Sequence, residues 1–440
     1  MSKPICLVTA PVATRSGYGA HSRDICRALI KLDKYDVKIW NVRWGNTPMN
    51  ALHIDDPNDK VIIDRLLQDP QLERQPEVHI HIVIPTEFQP VGKYNIGITA
   101  GLETTLCKPE WLQGMNKMNL NLVPANFVKD TLANISFDIV DDRTQKNAGI
   151  LKNEKPLEVL FEGVDTNIYK KTNEFSKSLV AEIDKVDEKF NFLYVGHWLQ
   201  GNLGSDRKDT GMLVKVFCET FKNMKTKPAL IMKTSGAGFS VLDREQILNK
   251  IHDIKKGIAG DLPNIYLIHG DFMDEEINEL YNHPKVKAHV SLTHGEGYGR
   301  PLLEATISEK PVIAPNWSGH TDFLKKPNAI LLDGSLVDID KSSFPEAFYQ
   351  EGMKWFTVNY QQASVVMKDV YKNYRKYTLG AKKLGIYNKA KFSLDAMTRE
   401  FGKILDKYVP EFPKEVKLEL PKLKKVAEAP KIKLPKLKKV

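Results

Sequence analysis

The sequence has few cysteines and no long apolar run, and each absence excludes a class of protein. Only four of its 440 residues are cysteine, scattered along the chain without a C-x-x-C pair, so neither a disulfide framework nor a zinc site is expected. No stretch approaches the roughly 20 apolar residues of a membrane span, and the apolar run near the N-terminus is too short for a signal peptide. We therefore expect a cytoplasmic protein without a transmembrane segment.

The length predicts more than one domain, because 440 residues exceed what a single core accommodates. Strand and helix patterns alternate in two successive sets, which favours an α/β protein of two doubly wound domains. We expect an N-terminal domain at 1–175, a second domain at 176–385, a helix crossing back to the first domain at 386–410 and a Lys/Pro-rich tail at 411–440 that lacks a stable fold.

The stretch from Ser291 to Thr306, S-L-T-H-G-E-G-Y-G-R-P-L-L-E-A-T, is the most informative part of the chain. A strand pattern precedes it, three glycines predict a tight turn, and Pro301 suits the start of a helix. Free backbone N–H groups in a glycine-rich turn before a helix form a site for phosphate. The alternative is an ordinary tight turn between a strand and a helix.

Two carboxylates, Glu296 and Glu304, lie in the same stretch, eight positions apart. Acids beside an anion site repel the anion, so we interpret them as acceptors of hydrogen bonds from hydroxyl groups. A ligand with phosphates and several hydroxyls is a nucleotide sugar. The alternative is that an acid at the start of the helix serves only the helix dipole.

The sequence E-G-Y-G-R-P-L-L-E-A resembles the signature of retaining nucleotide-sugar glycosyltransferases of the GT-B fold, family 4 in particular. The resemblance covers about residues 1–410 and is strongest from 191 to 324. It implies two Rossmann-like domains facing across a cleft, with Glu296 at the donor sugar and Glu304 at the ribose. The other donor-binding residues that we assign in this stretch are His294, Gly297, Tyr298 and Gly299.

The segment R-K-D-T-G carries two candidate cations, Arg207 and Lys208, after a predicted strand. We expect them in the first turn of a helix, where the dipole disfavours cations and an anion is therefore expected nearby. By the resemblance, Lys208 matches the family's diphosphate-binding lysine, and Arg207 substitutes for an arginine that usually lies earlier. Lys233, at the end of another strand, is a donor-site candidate near the base. The alternative for Arg207 and Lys208 is an exposed pair at a helix start.

The N-terminal half offers two loops. The first, with Gly17, Tyr18 and Gly19, faces the donor diphosphate by resemblance, although a lone G-x-G is weak by itself. The second carries Glu103 in the pattern E-T-x-x-x-x-P-x-W and is assigned to the acceptor side or to the sugar. A solvent-facing loop acid is the alternative reading of Glu103.

No metal ion is expected. His79 and His81 lie two apart on a predicted strand but lack a third ligand in view, and the D-I-D at 338–340 lacks the strand-end context of a metal-binding motif.

The tail contains ten lysines and four glutamates between 411 and 440, so six of the nine net positive charges lie there. The heptapeptide L-P-K-L-K-K-V occurs twice, and prolines prevent one continuous helix. A solvated extension is one reading. The repeat favours an interaction with a polyanion, either nucleic acid or anionic lipid, or with a protein.

The sequence thus predicts a retaining hexosyltransferase that moves a sugar from a nucleotide-diphosphate sugar to an acceptor hydroxyl of a glycan, a lipid-linked molecule or a protein. The acceptor itself stays unknown. One alternative is a glycosyltransferase acting on hydroxylated bases of DNA. Others are a non-catalytic sugar-binding or scaffold protein of the same fold, and a phosphorylase.

Overall fold

The computed structural model describes residues 3–141, 143–236, 239–343, 346 and 348–413. The chain divides into two compact units, Met1–Pro410 and Glu411–Val440. Almost all of the second unit lies outside the described residues, so the expectations for the tail and its partners also lie outside them.

The first half of the larger unit alternates strands and helices. Its elements are β1 (Ile5–Ala10), α1 (Gly17–Leu32), β2 (Asp36–Asn41), α2 (Pro57–Ile63), β3 (Val78–Ile82), β4 (Tyr94–Ile98), α3 (Pro109–Asn116), β5 (Leu120–Val123), α4 (Asn126–Asn134), β6 (Ser136–Val140), β7 (Asn147–Lys152), β8 (Leu157–Val159) and a short 3₁₀ helix at Pro85–Glu87. Six of the strands form one parallel sheet in the order β2-β1-β3-β4-β5-β8. The other two, β6 and β7, pair as an antiparallel hairpin.

The second half repeats the alternation. Its elements are α5 (Lys177–Ile183), β9 (Asn191–His197), α6 (Thr210–Phe221), β10 (Ala229–Ser235), α7 (Val241–Lys256), β11 (Ile265–Ile268), α8 (Asp274–Asn282), β12 (Val286–Val290), α9 (Arg300–Ile307), β13 (Val312–Pro315), β14 (Ile330–Leu332), β15 (Gly334–Asp338), β16 (Lys354–Val358), α10 (Tyr360–Lys372), α11 (Arg375–Lys391), α12 (Leu394–Tyr408) and 3₁₀ helices at Gly319–Asp322 and Lys341–Ser343.

The second parallel sheet runs β11-β10-β9-β12-β13-β14. Counted within this half, that order is 3-2-1-4-5-6, the order of a dinucleotide-binding sheet. The strands β15 and β16 form a separate antiparallel pair.

Apolar packing joins the two halves. Phe127, on α4, meets Trp317, beyond β13, edge to face with ring centres 4.7 Å apart. The last helix, α12, is capped by the Ser393 side chain, which accepts from the backbone N–H of Ala396. Lys31 of α1 pairs with Asp395 of α12 at 2.6 Å. The last helix of the unit therefore lies beside its first helix. The division of this unit at 175 and 385 stays a prediction.

The expected fold class is confirmed, since two doubly wound parallel sheets each carry helices between their strands. No helix among the described residues is long and apolar enough to cross a membrane.

Packing around α6 predicts a large effect from one substitution. Phe217 is completely buried, with ring centres of Phe192 and Phe221 at 5.8 and 4.9 Å. Phe217→Ala should lower the free energy of unfolding by about 3–5 kcal/mol because it leaves a cavity. Chemical denaturation followed by circular dichroism measures this. The control Leu242→Ala, at a side chain that is 75% exposed, should change it by less than about 0.5 kcal/mol. Similar values for the two variants would contradict the packing argument.

Candidate active site

Topology brings the candidate residues together. In the second sheet the strand order reverses between β9 and β12, and ligands of such sheets bind beyond the carboxyl ends of the strands at that point. The loop after β9 carries Arg207 and Lys208, and the loop after β12 carries Glu296. Residues almost 90 positions apart in sequence therefore meet at one edge.

Glu296 and Lys208 form the closest ion pair of the site. The Lys208 Nζ donates to both carboxylate oxygens of Glu296, at 2.5 and 2.7 Å. Both side chains are nearly buried, with 13% and 12% of their surfaces exposed. Burial alone would raise the pKa of Glu296, but Lys208 and Arg207 outweigh it and hold this pKa at about 2. Burial lowers the pKa of Lys208, an effect that Glu296 opposes. Glu296 is therefore ionised at neutral pH.

Arg207 connects this pair to the first half of the unit. Its Nη1 donates to the Gly295 carbonyl oxygen at 2.9 Å, and it lies 3.3 Å from Glu103 Oε1 and 3.6 Å from Glu296 Oε2. Glu103 belongs to the loop after β4, in the first sheet. Two cations and two carboxylates thus meet where the two halves face each other.

Arg207 and Lys208 precede α6, which begins at Thr210 after the N-cap residue Asp209. The prediction that they lie in the first helical turn is wrong. Asp209 has a left-handed backbone (φ 51°), and its carboxylate accepts from the Tyr360 hydroxyl at 2.7 Å. This tyrosine contact comes from far along the chain and could not be read from the local pattern. The two cations lie on the loop, from which they reach the glutamates.

The glycine-rich turn leaves unused hydrogen-bond donors. Among the described residues, no acceptor faces the backbone N–H groups of Gly297, Tyr298 and Gly299. Gly299 has φ +94° and is the N-cap of α9. Successive free N–H groups at a helix N-terminus favour an anion.

The same turn packs closely on the first half. A Cβ atom on Gly297 would lie 2.1 Å from the Ala100 carbonyl oxygen, and one on Gly295 would lie 2.4 Å from that of Glu103. These distances are too short for any side chain. Glycine is therefore required here for contact between the halves as well as for the turn itself.

Glu304 takes part in a second charged group. Arg300 Nε donates to Glu304 Oε1 at 2.9 Å, and Arg300 Nη1 donates to Asp24 Oδ2 of α1 at 2.6 Å. Arg300 thus also links the two halves. Burial raises the pKa of Glu304 to about 8, against the lowering by Arg300.

His294 and Tyr298 lie behind the turn. The His294 ring is fully buried and stacks on Trp355 at 4.3 Å, and its Nδ1 lies 2.9 Å from the Phe356 carbonyl oxygen. Tyr298 is 3% exposed and packs against Phe323, with ring centres 5.2 Å apart. Their direct contact with a donor stays a prediction, and the structure places both as supports of the loop.

The first N-terminal loop lies at the carboxyl end of β1. Gly17 is the first residue of α1, and the Gly19 N–H donates to the side chain of Ser16, the N-cap, at 3.0 Å. The Tyr18 hydroxyl lies 2.8 Å from Thr99 Oγ1, and its ring stacks on Trp44 at 3.9 Å.

Lys233 is separate from the ion-pair group. It lies in β10, two residues before the end of the strand. Its Nζ donates to the Gly270 carbonyl oxygen at 2.9 Å and lies 5.0 Å from the Phe272 ring centre.

Glu162 is a candidate that the sequence reasoning missed. It follows β8, is only 6% exposed, and among the described residues its carboxyl has no hydrogen-bond partner. Burial raises its pKa to about 7, with Arg300 opposing the shift and with Asp24 and Glu296 adding to it. In the sequence it stands within L-F-E-G-V-D, shortly before the expected domain boundary at 175. A charged residue inside an otherwise apolar run was the available signal.

Among the described residues, His79 and His81 on β3 have no third metal ligand beside them. His79 Nε2 lies 3.0 Å from Thr9 Oγ1, and burial lowers the pKa of His79. Within the described ranges no three His, Cys, Asp or Glu residues form a group that could hold a metal ion.

Comparisons with known proteins give the fold. No family model matches the sequence, and no curated protein matches it significantly. Similar solved structures include Anabaena HepE in complex with UDP-glucose (TM-score 0.59, 11% identity, 92% of this chain and 100% of that chain). They also include sucrose-phosphate synthase of Thermosynechococcus elongatus (0.59, 13%, 92% and 98%) and a glycosyltransferase of Rickettsia africae (0.57, 13%, 93% and 99%). At these identities the likeness concerns the fold, and it confirms the expected GT-B arrangement.

The buried Glu162 predicts a pH-dependent stability difference. With its pKa raised from 4.5 to about 7, the folded chain binds more protons than the unfolded chain between these values, so its stability falls as the pH rises through them. Glu162→Gln removes this loss. The difference in free energy of unfolding, variant minus wild type, should therefore increase by up to about 3 kcal/mol from pH 5 to pH 8.

Chemical denaturation at the two pH values measures the gain. The control Glu174→Gln, which removes an exposed carboxyl, should follow the wild type at both. A constant difference between Glu162→Gln and the wild type would show that Glu162 titrates as it does in the unfolded chain.

Proposed function

We propose that this chain is a retaining glycosyltransferase that moves a sugar from a nucleotide-diphosphate sugar to an acceptor hydroxyl. The observation that carries the proposal is the arrangement of Lys208 and Arg207 beside the free N–H groups of 297–299, at the switch point of a dinucleotide-type sheet. Such a site suits a diphosphate. The fold it shares with Anabaena HepE, whose complex contains UDP-glucose, supports the same reading.

The glutamates would occupy the sugar end of this site. Glu296, at the turn, would accept hydrogen bonds from hydroxyls of the transferred sugar, and Glu304 would accept them from hydroxyls of the ribose. Glu103 approaches from the first half and would face the acceptor. Gly17, Tyr18 and Gly19 would border the diphosphate, and Lys233 would lie toward the base.

The ion pairs would keep the cations neutralised while no donor is bound. A buried lysine without a counter-charge is costly, and Glu296 supplies one. An entering diphosphate would bring two negative charges, so Lys208 and Arg207 could turn to it while Glu296 is released toward sugar hydroxyls. The positive charge would then already be in place when negative charge grows on the leaving group.

In the reaction, the acceptor oxygen forms a bond to the anomeric carbon while the bond from that carbon to the diphosphate oxygen breaks. Both events occur on one face of the sugar, which retains the anomeric configuration. The acceptor's proton passes to the departing diphosphate, so no separate protein base is required. Lys208, Arg207 and the N–H groups of 297–299 stabilise the charge on the nucleoside diphosphate.

A donor panel tests the proposal. UDP-, GDP-, ADP- and dTDP-sugars are incubated with the protein, with and without alcohols as acceptors, and release of nucleoside diphosphate is measured. At least one donor should be turned over, and nuclear magnetic resonance of the product should show the anomeric configuration of the donor. An inverted product would contradict the retaining mechanism, and no turnover of any donor would contradict the enzyme assignment.

Lys208 should be needed as a charge. Lys208→Ala should lower kcat by about 100-fold or more, because it removes one preorganised stabiliser of the leaving group. Lys208→Arg keeps the charge and should recover part of the rate. The control Lys222→Ala, at an exposed residue at the other end of α6, should match the wild type.

Folding is checked by thermal unfolding, since Lys208→Ala removes the nearer of the two cations that pair with Glu296 and leaves Arg207 at 3.6 Å. Near-normal turnover by a folded Lys208→Ala variant would remove this residue from the site.

A further inference from the structure

A cavity of about 580 Å³ opens beside the Glu103–Arg207 pair. It is lined from the first half by Tyr18 of α1 and by the loops after β2 and β4, and from the second half by the loop after β9, by α7 and by residues between β15 and β16. The volume is within the range of small-molecule sites. Because Arg207 also contacts Gly295 of the glycine-rich turn, the cavity adjoins the proposed place of sugar transfer.

Aromatic and aliphatic side chains form most of its walls. The aromatic members are Tyr18, Trp44, Trp111, Trp198 and Phe348. Leu102 and Met353 are each 4% exposed, so the deeper wall is apolar and closely packed. Tyr18 and Trp44 stack with their rings 24° from parallel and together present flat surface. We name this space the aromatic cavity.

Few polar groups on these walls are available to a ligand. The buried Thr104 hydroxyl already donates to the Leu106 carbonyl oxygen at 2.7 Å. The Asp243 carboxylate accepts from the Gly236 N–H and lies 2.8 Å from His269 Nε2. Gln200 and Gln246 are exposed and lie at the rim. The inner part therefore offers hydrogen bonds at its Glu103–Arg207 end and at the Ser343 hydroxyl, which is buried without a hydrogen-bond partner among the described residues. Lys250 also lines the cavity, with its Nζ 5.3 Å from the Trp198 ring centre.

This distribution discriminates between acceptors. A saccharide has a hydroxyl on almost every carbon, and each hydroxyl buried without a partner lowers affinity by roughly tenfold or more. A flat apolar ring loses nothing against such walls and gains stacking with the aromatic residues. One hydroxyl on a short arm would reach Glu103 while the ring remains among the aromatic side chains.

We propose that the aromatic cavity is the acceptor site and that it takes a flat aromatic ring carrying a hydroxymethyl group. The proposal rests on the glycosyltransferase function proposed above. The ring's hydroxymethyl oxygen forms the new bond to the anomeric carbon, the bond from that carbon to the diphosphate breaks, and the hydroxyl proton leaves with the nucleoside diphosphate. Free aryl alcohols and hydroxymethylated nucleobases share this transfer chemistry. They differ in that the polar edge of a nucleobase needs hydrogen-bond partners, for which the Ser343 hydroxyl and Lys250 are the candidates on the cavity wall.

Transfer to three acceptors tests the proposal in the full-length protein with the donor found by the panel. Benzyl alcohol represents the free aryl alcohols, 5-hydroxymethylcytosine in a single-stranded oligonucleotide represents the nucleobases, and maltose represents the saccharides. Transfer to at least one aromatic acceptor should exceed transfer to maltose by about tenfold or more in kcat/KM. The ratio between the two aromatic acceptors identifies the source of the ring. Preference for maltose over both would overturn the proposal.

Variants at the wall give a second readout. Trp44→Ala should raise the KM for the better aromatic acceptor by about tenfold, because a stacking surface is lost, whereas Trp44→Phe should keep most of the affinity. The control Tyr387→Ala removes an exposed aromatic side chain on α11, outside the cavity lining. Equal KM values for Trp44→Ala and Tyr387→Ala would overturn the role of the cavity.

Failure of the glycosyltransferase assignment can be distinguished from failure of the acceptor assignment. If no donor is turned over, the enzyme assignment fails, and the cavity is still tested by quenching of tryptophan fluorescence with 5-hydroxymethyl-2′-deoxycytidine and with maltose. If the nucleoside quenches the fluorescence and Trp44→Ala weakens this quenching, the result supports a site for an aromatic ring. If donor hydrolysis is intact and the nucleoside neither quenches nor accepts sugar, the proposed acceptor class is wrong.

Discussion

The structure depends on one electrostatic constraint: four charges that lie largely out of solvent between the two halves must neutralise one another. Lys208 and Arg207 come from the second sheet's first loop, Glu296 from its fourth, and Glu103 from the other half. An unpaired member would carry a large desolvation penalty. The groups that we propose for catalysis therefore also stabilise the contact between the two halves. A diphosphate entering there would exchange one set of negative partners for another without leaving the cations bare.

Close backbone approach imposes a second constraint on the same place. The turn after β12 lies so near the loop after β4 that Gly295 and Gly297 have no space for a Cβ atom. The glycines of this stretch were interpreted from the sequence as a phosphate turn, and the free N–H groups of 297–299 agree with that interpretation. Their contact with Ala100 and Glu103 was not predicted, because the loops are almost 200 residues apart in the chain. Proximity of this kind depends on how the halves pack.

The sequence predicted well what depends on local pattern. The strand pattern before Ser291 is β12, the strand expected to carry His79 and His81 is β3, and the helix expected within 386–410 matches α12. The sequence predicted less well those features that depend on contacts between residues far apart in the chain. The Tyr360 contact to Asp209 fixes the start of α6 after Lys208, and Phe323 holds the Tyr298 ring within the core. Glu162 escaped notice for the same reason, since its burial comes from neighbours on other elements.

Charge balance also explains the second acidic group. The guanidinium of Arg300 lies among the carboxyls of Asp24, Glu162 and Glu304. Asp24 also pairs with Arg27 at 3.5 Å, so the two glutamates share the charge of Arg300. Burial raises the pKa of Glu162 to about 7 and that of Glu304 to about 8, so protonation near neutral pH removes the excess. A neutral carboxyl both donates and accepts hydrogen bonds, as a sugar hydroxyl does. The two acidic groups therefore differ in kind, since nearby cations lower the pKa of Glu296 while burial raises the pKa values of Glu162 and Glu304.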